Sequence, residues 1–300
     1  MTVKTISCFL LLCLSLTSIN FAQAQTFPTK KKSVLVCGDT KVHLVDYELS
    51  KDTIPHIIWT WDARHIEDLP TEYRNRKFNS TDDVKVVNKG KHLLISSSSG
   101  AIAMWDLQKN KTLFYAEVPN AHSIELLPGN LLVAAASTHA NGNKIMLFDL
   151  KKGNNAIYTD SLYSAHGVVW HPKRKTLFTL GYDVLREYKL QPDKTLHKIN
   201  EWKIAGKSGH DLFPLPDYSG FYITEHTGTW IFDLKTAQFS KIKNFPDAEN
   251  IKSIGKTTYG QYVFTVPEQS WWTYHVSFSD PARSLAFPGM KVYKARWYKE

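Results

Sequence analysis

A histidine returns at a fixed interval in the middle of this chain. It occurs at His122, His166 and His210, and the two intervals are equal, since 166 − 122 = 44 and 210 − 166 = 44. The stretches between these histidines hold short runs of alternating apolar and polar residues, separated by turn residues. A repeat of this length built from short strands is typical of a β-propeller, in which each repeat forms one four-stranded blade.

The pattern of short strands predicts an all-β fold with six blades. Five candidate blades follow one another from Val84 to Phe287, and Gly, Pro, Asn or Asp marks most of the turns. Three strands in residues 33–61 and one in residues 291–298 are left over. Together they complete a sixth blade shared by the N- and C-terminal strands, which removes exposed sheet edges. Seven blades remain the alternative if two weak repeats are counted as one.

A second repeated signature lies at the end of the third strand of several blades. It reads aromatic-Asp-Leu at Trp105–Leu107, Phe148–Leu150 and Phe232–Leu234, with a looser copy at Val45–Tyr47. The aromatic ring is expected to pack between blades, and the aspartate to cap the turn into the fourth strand. The signature therefore predicts packing and carries no chemistry.

The N-terminus has the organisation of an export signal. Lys4 precedes an apolar run over residues 9–16, and Ala22-Gln23-Ala24 is a small-x-small cleavage pattern. We expect a signal peptide over residues 1–24 and a single propeller domain over residues 25–300, secreted or periplasmic. The apolar run is too short to span a bilayer. A lipid anchor on Cys13 is the less favoured reading, because the residue before it is not small.

Cysteine content and charge narrow the function classes. Cys37 is the one cysteine beyond the signal, so no intramolecular disulfide is expected. The chain carries a formal net charge of +9, but its basic residues are mostly scattered, and export argues against a nucleic-acid partner. An acidic glycan or a negatively charged envelope fits the charge, as does solubility alone. The expected partner is an oligosaccharide or another small polar ligand. We expect a monomer.

Aligning the repeats by their apolar positions gives one polar residue per blade at the mouth of the central channel. These residues are Asp82, His122, His166, His210, Asn250 and Lys294. Three neighbouring imidazoles are candidate ligands for a divalent metal (Mn, Zn or Ca), with positions left open for water or substrate. Two alternatives stay open: a water-filled channel in which the histidines are structural, and a site that binds its ligand without metal.

Loops on the same face supply further candidates. For acid–base catalysis they are Asp82, Tyr182 and His226. For substrate binding they are Arg64, Arg74, Arg76, His139, Asn250, Trp271 and Lys294. Arginine can grip a carboxylate with two hydrogen bonds, and an exposed tryptophan can stack on a sugar ring. Each residue also has a plainer reading as an ordinary loop, solvated or packing position.

The export signal, blade pattern and histidines resemble the uncharacterised secreted six-bladed β-propellers of Bacteroidetes type, which often belong to glycan-use systems. The site is more loosely similar to the oligogalacturonate-lyase propellers. That resemblance implies that His122, His166 and His210 hold a metal that neutralises a uronate carboxylate for β-elimination. The departures are a shorter chain, six blades instead of seven, and no position that matches the remaining ligand or the base.

Two functions from different classes follow. One is a metal-dependent lyase or hydrolase acting on a uronate-type oligosaccharide, in which a base must reach the proton next to the acid group. The other is a non-catalytic propeller that binds a glycan or a protein, because a fold does not specify a function. A calcium-dependent lactonase is a third possibility, which Asp82 and Asn250 suit better than three imidazoles do.

Overall fold

The computed structural model describes Phe27 and residues 32–243, 245–246 and 248–299. The predicted signal peptide, residues 1–24, lies outside the described residues and stays a prediction. Within them, six four-stranded antiparallel sheets form a six-bladed β-propeller, so the predicted architecture is confirmed and the seven-bladed alternative is excluded. No helix among these residues is both long and apolar enough to cross a membrane.

The first three blades follow the chain in order, each with its first strand innermost. Blade 1 comprises β4 (Thr81–Val87), β5 (His92–Ser97), β6 (Ala101–Asp106) and β7 (Lys111–Glu117). Blade 2 comprises β8 (Ala121–Leu127), β9 (Leu131–Ala136), β10 (Lys144–Asp149) and β11 (Ala156–Ser161). Blade 3 comprises β12 (Gly167–His171), β13 (Thr176–Leu180), β14 (Val184–Leu190) and β15 (Leu196–Lys203).

The last three blades complete the ring. Blade 4 comprises β16 (Asp211–Pro214), β17 (Gly220–Glu225), β18 (Gly228–Asp233) and β19 (Gln238–Lys241). Blade 5 comprises β20 (Ser253–Lys256), β21 (Tyr262–Thr265), β22 (His275–Ser279) and β23 (Arg283–Ala286). Blade 6 comprises β24 (Val292–Lys299), β1 (Ser33–Gly38), β2 (Lys41–Lys51) and β3 (Ile54–Asp62), paired in that order.

The two chain ends close the ring, as the count of three strands plus one predicts. Strand β24 is innermost in blade 6 and pairs antiparallel with β1, so that Leu35 faces Arg296 and Val36 faces Ala295. Every inner strand therefore has a partner in its own blade. Closure through both ends gives the sixth blade its full set of four strands, so that each of the six sheets in the described ring is complete.

The blades are held together by apolar packing, and the aromatic-Asp-Leu signature has its predicted role. Trp105, Phe148 and Phe232 are buried in the clusters between neighbouring sheets. The carboxylate of Asp106 accepts hydrogen bonds from two backbone N–H groups of the following turn, and Asp233 does the same in blade 4. The predicted packing and turn-capping roles are confirmed.

The connection between blades 6 and 1 is the longest in the ring. It contains a 3₁₀-helix (Ala63–His65) and a short π-helix (Tyr73–Lys77). Leu69 and Phe78 point into the apolar cluster between these two blades, which anchors the connection on the rigid scaffold. Most of its polar residues are exposed or partly exposed.

Candidate functional site

A cleft of about 510 Å³ opens at one end of the central channel, where the innermost strands begin. Each blade contributes a side chain to its wall from at or near the start of its inner strand. In blade order these side chains belong to Asp82, His122, His166, His210, Lys252 and Tyr293. The three repeated histidines therefore do meet at the channel mouth, beside a carboxyl, an ammonium and a phenol.

Local backbone geometry brings these side chains to one level. Asp82 and His122 each sit at a β-bulge, where the register with the second strand shifts between Thr81 and Asp83 and between Ala121 and Ser123. A bulge inserts one extra residue and re-aims its side chain. His166 and His210 reach the same level without a bulge, because each directly precedes the first residue of its strand.

Two positions predicted by aligning the repeats of this chain need correction. Lys252, not Asn250, lines the cleft in blade 5, since it precedes β20 as His210 precedes β16. In blade 6 the cleft residue is Tyr293, and Lys294 is fully buried one step deeper. Asn250 lies beside the cleft residues, where its Oδ1 accepts a hydrogen bond from Nδ1 of His226 at 2.7 Å.

The three imidazoles form a packed row. The rings of His122 and His166 are stacked, with centroids 4.2 Å apart and planes 21° apart, and His210 meets His166 edge-on at 5.8 Å. Tyr293 stacks on the other side of His122 at 5.6 Å. Such contacts fix the ring orientations, so the polar edge that each imidazole presents is set by the protein.

All three histidines are neutral at physiological pH. Burial lowers the pKa of His122 to about 3 and that of His210 to about 2, with Lys294 and Lys252 respectively as the next cause. Burial, followed by the neighbouring His122, places the pKa of His166 well below its usual value. A desolvated cluster disfavours charged imidazole, and neighbouring cations add to that effect.

The stacked rings do not suit a three-histidine metal site. A nitrogen lone pair lies in the plane of its ring, and a metal must sit within about 2.1 Å of each ligating nitrogen. Two nearly parallel rings 4.2 Å apart cannot both point their lone pairs at one ion. Among the described residues, no group of three or more His, Cys, Asp or Glu side chains is arranged to hold a metal. The divalent metal stays a prediction, and the chemistry below is derived without it.

Asp82 is a buried carboxyl that changes charge near neutral pH. Its Oδ2 accepts a hydrogen bond from the backbone N–H of Ser98, and its Oδ1 lies 3.2 Å from Nδ1 of His122. Neither Oδ1 of Asp82 nor Nδ1 of His122 has a partner in hydrogen-bonding geometry. Burial raises the pKa of Asp82 to about 7, against the opposing effects of Ser98 and Lys294. A carboxyl of this kind in a cleft is a candidate proton-transfer group.

Lys252 provides the positive charge of the cleft. Its Nζ donates a hydrogen bond to Nε2 of His210 at 3.0 Å, and its side chain is buried. Burial, and then repulsion from Lys294, lowers the pKa of Lys252 to about 8. The ammonium donates one of its three N–H groups to His210 and has two more that can donate to a ligand. It can therefore bind an acid group.

A layer of paired charges closes the channel below the cleft. Arg296 donates two hydrogen bonds of 2.6 Å to the carboxylate of Asp211 and reaches Oδ1 of Asp83 at 3.0 Å. Lys294 donates to Asp211 at 3.0 Å. All four residues are buried, and their charges cancel two against two. The layer therefore forms a neutral floor.

The other predicted site residues lie at varying distances from the cleft. Trp271 lines it, is 40% exposed, and packs edge-on against Tyr293 at 6.0 Å. His139, Tyr182 and His226 do not line it: His139 accepts a hydrogen bond from the N–H of its own loop residue Asn141, and the ring of Tyr182 packs against Tyr163. Catalytic roles for Tyr182 and His226 stay predictions.

The three predicted arginines of the long connection are not among the cleft residues either. Arg64 directs its guanidinium onto the carboxylate of Asp62 and lines a separate groove on the side of the propeller. Arg74 donates to Oγ1 of Thr71, and Arg76 is exposed. The cation that the cleft does contain, Lys252, was missed from the sequence. The sequence feature that could have identified Lys252 is its position directly before Ser253, the first residue of β20. His210 occupies the same position before Asp211, the first residue of β16.

Fold and cleft together define a six-bladed β-propeller with a polar, histidine-lined channel mouth. Residues 5–300 match a family described as "Family of unknown function (DUF6528)", and the chain belongs to this family. No curated protein matches the sequence. The predicted Bacteroidetes origin and the similarity to oligogalacturonate lyases stay predictions.

Solved structures with a similar fold have various functions. A functionally unknown protein from Desulfotomaculum acetoxidans DSM 771 gives a TM-score of 0.58 at 11% identity, over 89% of this chain and 85% of that one. Kuenenia stuttgartiensis hydrazine synthase gives a TM-score of 0.51 at 13% identity, over 65% of this chain and 61% of that one. Dihydro-heme d1 dehydrogenase NirN in complex with DHE gives a TM-score of 0.49 at 15% identity, over 84% of this chain and 54% of that one. This chain thus spans about half the length of NirN. The likenesses to the Desulfotomaculum protein and to hydrazine synthase show the fold alone.

Proposed function

We propose that this protein is an exported propeller that binds an acidic sugar of uronate type at the channel mouth. The observation that carries the proposal is Lys252, the ammonium in the wall of a cleft that is otherwise lined mainly by neutral imidazoles, aromatic rings, serine hydroxyls and the carboxyl of Asp82. The paired charges of the floor cancel, so they do not offset the attraction of this ammonium for a carboxylate.

The remaining cleft groups suit a sugar better than a simple anion. Trp271, which is 40% exposed, offers its ring to the apolar side of a pyranose. The hydroxyls of Ser98 and Ser99, together with the imidazoles, offer donors and acceptors for sugar hydroxyls. A few fixed polar groups in an otherwise enclosing cleft is the usual composition of a small-molecule site.

Catalysis on the same ligand is the second candidate, and Asp82 is the observation that favours it. A carboxyl with a pKa near 7 can accept a proton from carbon next to an acid group, or give one to a leaving oxygen, at physiological pH. A lyase or hydrolase of uronate-type oligosaccharides would use Asp82 in one of these roles. The metal-dependent form of this activity adds a divalent ion, which the binding experiment below tests directly.

The test is titration calorimetry of the purified protein with galacturonate and glucuronate and with their methyl esters. Wild type should bind the acids and bind the esters at least tenfold more weakly. Lys252→Met should weaken acid binding at least tenfold, because losing one partner of a buried charge pair costs roughly 2–5 kcal/mol. The matched control is Lys207→Met, which removes an exposed lysine that does not line the cleft.

Equal binding of acid and ester, or no effect of Lys252→Met, would overturn the binding proposal. Repeating the titration with EDTA and with added Mn, Zn or Ca tests the metal. Binding only in the presence of a divalent ion, lost in His166→Ala, would support the metal-dependent form. Release of an unsaturated, ultraviolet-absorbing product from oligogalacturonate, abolished in Asp82→Asn, would support a lyase.

A further inference from the structure

The hydrogen bonds around His166 determine which of its nitrogens carries the proton. Nδ1 lies 2.8 Å from the backbone carbonyl oxygen of Ser164. A carbonyl oxygen can only accept, so Nδ1 must be the donor. The hydroxyls of Ser164 and Ser137 lie 3.2 and 3.3 Å from the same nitrogen and offer it further polar contact. Because the ring is neutral, Nε2 is left without a proton and carries a lone pair.

The surroundings of His166 hold this arrangement in place. The backbone N–H of Ser164 donates to Oδ1 of Asn143 at 2.9 Å, which ties the loop before His166 to the preceding blade. The backbone N–H of His166 donates to the carbonyl of Leu180 at 2.9 Å, and its ring is stacked on His122. Among the described residues Nε2 has no hydrogen-bond donor facing it. A wall of the cleft therefore presents a fixed acceptor.

We propose that His166 selects ligands that carry a hydroxyl group close to their acid group, with Nε2 accepting the hydroxyl hydrogen. This inference rests on the proposed binding of an acid at Lys252. Lys252 is bonded to the ring of His210, whose centroid is 5.8 Å from that of His166, so one small ligand spans both groups. The ligand class is a hydroxy acid with the two groups a few bonds apart, as in a hexuronate.

The selection follows from the asymmetry of hydrogen bonding. A ligand hydroxyl that enters the cleft regains from Nε2 the bond it loses to water. A deoxy analogue that covers Nε2 leaves it unpaired, and a methyl ether offers a second acceptor where a donor is needed. Leaving a buried polar group unpaired costs about 1–3 kcal/mol, which corresponds to a loss of affinity of roughly 5- to 150-fold.

The binding test uses galacturonate beside its monodeoxy and mono-O-methyl analogues, titrated into the full chain. Wild type should discriminate against one deoxy position and the matching methyl ether by at least fivefold. His166→Phe keeps a ring for stacking and removes the acceptor, so this discrimination should vanish while acid is still preferred over ester. His197→Phe is the control, since His197 is exposed on the outer strand β15 and does not line the cleft, and it should leave the discrimination intact.

A second measurement needs no ligand. Long-range proton–nitrogen correlation spectra of the histidine rings should show Nδ1 of His166 protonated and Nε2 unprotonated, with thermal melts confirming that each variant is folded. A protonated Nε2, or equal affinity of wild type for hydroxyl and deoxy ligands, would overturn the assignment of His166. Failure of Lys252→Met to weaken acid binding would instead overturn the proposed function, and the inference with it.

Discussion

The strongest test of the channel architecture is the replacement of Arg296 by methionine. Arg296 lies on β24, the C-terminal strand, and its guanidinium bridges Asp83 of blade 1 and Asp211 of blade 4. It is only 2% exposed, and the pKa values of both aspartates are held below their usual range despite burial, with Arg296 as the largest favourable cause. Arg296→Met leaves three buried charges, of which two are carboxylates and one is the ammonium of Lys294.

The expected cost can be worked from these contacts. Two bonds of 2.6 Å to Asp211 and two of 3.0 and 3.2 Å to Asp83 disappear together. Removing one partner from a buried ion pair typically costs about 3–5 kcal/mol, because the remaining charge is left uncompensated. For a chain of this size that free energy corresponds to a fall in melting temperature of roughly 6–20 °C.

The assay is thermal unfolding followed by circular dichroism at neutral pH. Arg64→Met is the matched control, because Arg64 also makes two hydrogen bonds to one carboxylate, that of Asp62, but is 51% exposed. It should change the melting temperature little, since water screens and solvates its charge. A second comparison is the double variant Arg296→Met/Asp83→Asn, which restores one cation against one anion and should recover a large part of the loss.

Equal effects of Arg296→Met and Arg64→Met would refute the argument, because the two sites differ chiefly in burial. Failure of the double variant to recover stability would also count against it. In that case packing of the arginine, including its stacking over the ring of Phe213 at 4.4 Å, would account for the loss instead of charge balance. Both outcomes come from the same set of melts.

Three other outcomes follow from contacts at the mouth and in the core. Affinity for a hexuronate should fall in two steps as pH rises. The first step lies at about pH 7, where Asp82 gains its negative charge, and the second at about pH 8, where Lys252 loses its positive charge. Asp82→Asn should abolish the first step in calorimetry across pH, and a pH-independent affinity would contradict this. Trp271→Ala should weaken sugar binding roughly fivefold with no change in melting temperature, as its half-exposed ring contributes contact more than core packing. Cys37 is fully buried, and burial raises the pKa of its thiol, so thiol reagents should label it only after unfolding, as mass spectrometry would show.

The fold was predictable because its signals repeat. The interval of 44 residues and the remainder of three strands plus one specify both the number of blades and the closure. The aspartate of the aromatic-Asp-Leu signature, as in Asp106, accepts from backbone N–H groups within its own turn, so a local sequence predicts a local structure. Blades 1, 2 and 4 each supply a copy of this signature, and blade 6 supplies a looser one.

The site was predictable only in part, for physical reasons. The interval of 44 residues and the alignment of the repeats by their apolar positions predicted that His122, His166 and His210 meet at the channel mouth, where the structure places them. Lys252 and Tyr293 were missed because blades 5 and 6 differ from the histidine pattern, and the alignment was off by one or two residues there. Ring stacking and the tautomer of His166 depend on contacts with neighbouring blades and loops, which no single repeat encodes.

The mouth and the floor of the channel are built from consecutive residues of the same strands, and this couples stability to binding. His210 lines the cleft while the next residue, Asp211, belongs to the floor, and Tyr293 and Lys294 are related in the same way. The floor is neutral only while Arg296 is present, so Arg296→Met places a net negative charge beneath the ammonium of Lys252. That charge would oppose the entry of an acid group. If Lys252 recognises the ligand as proposed, Arg296→Met should therefore lower affinity for a hexuronate at temperatures where the variant is still folded, and Arg296→Met/Asp83→Asn should restore it.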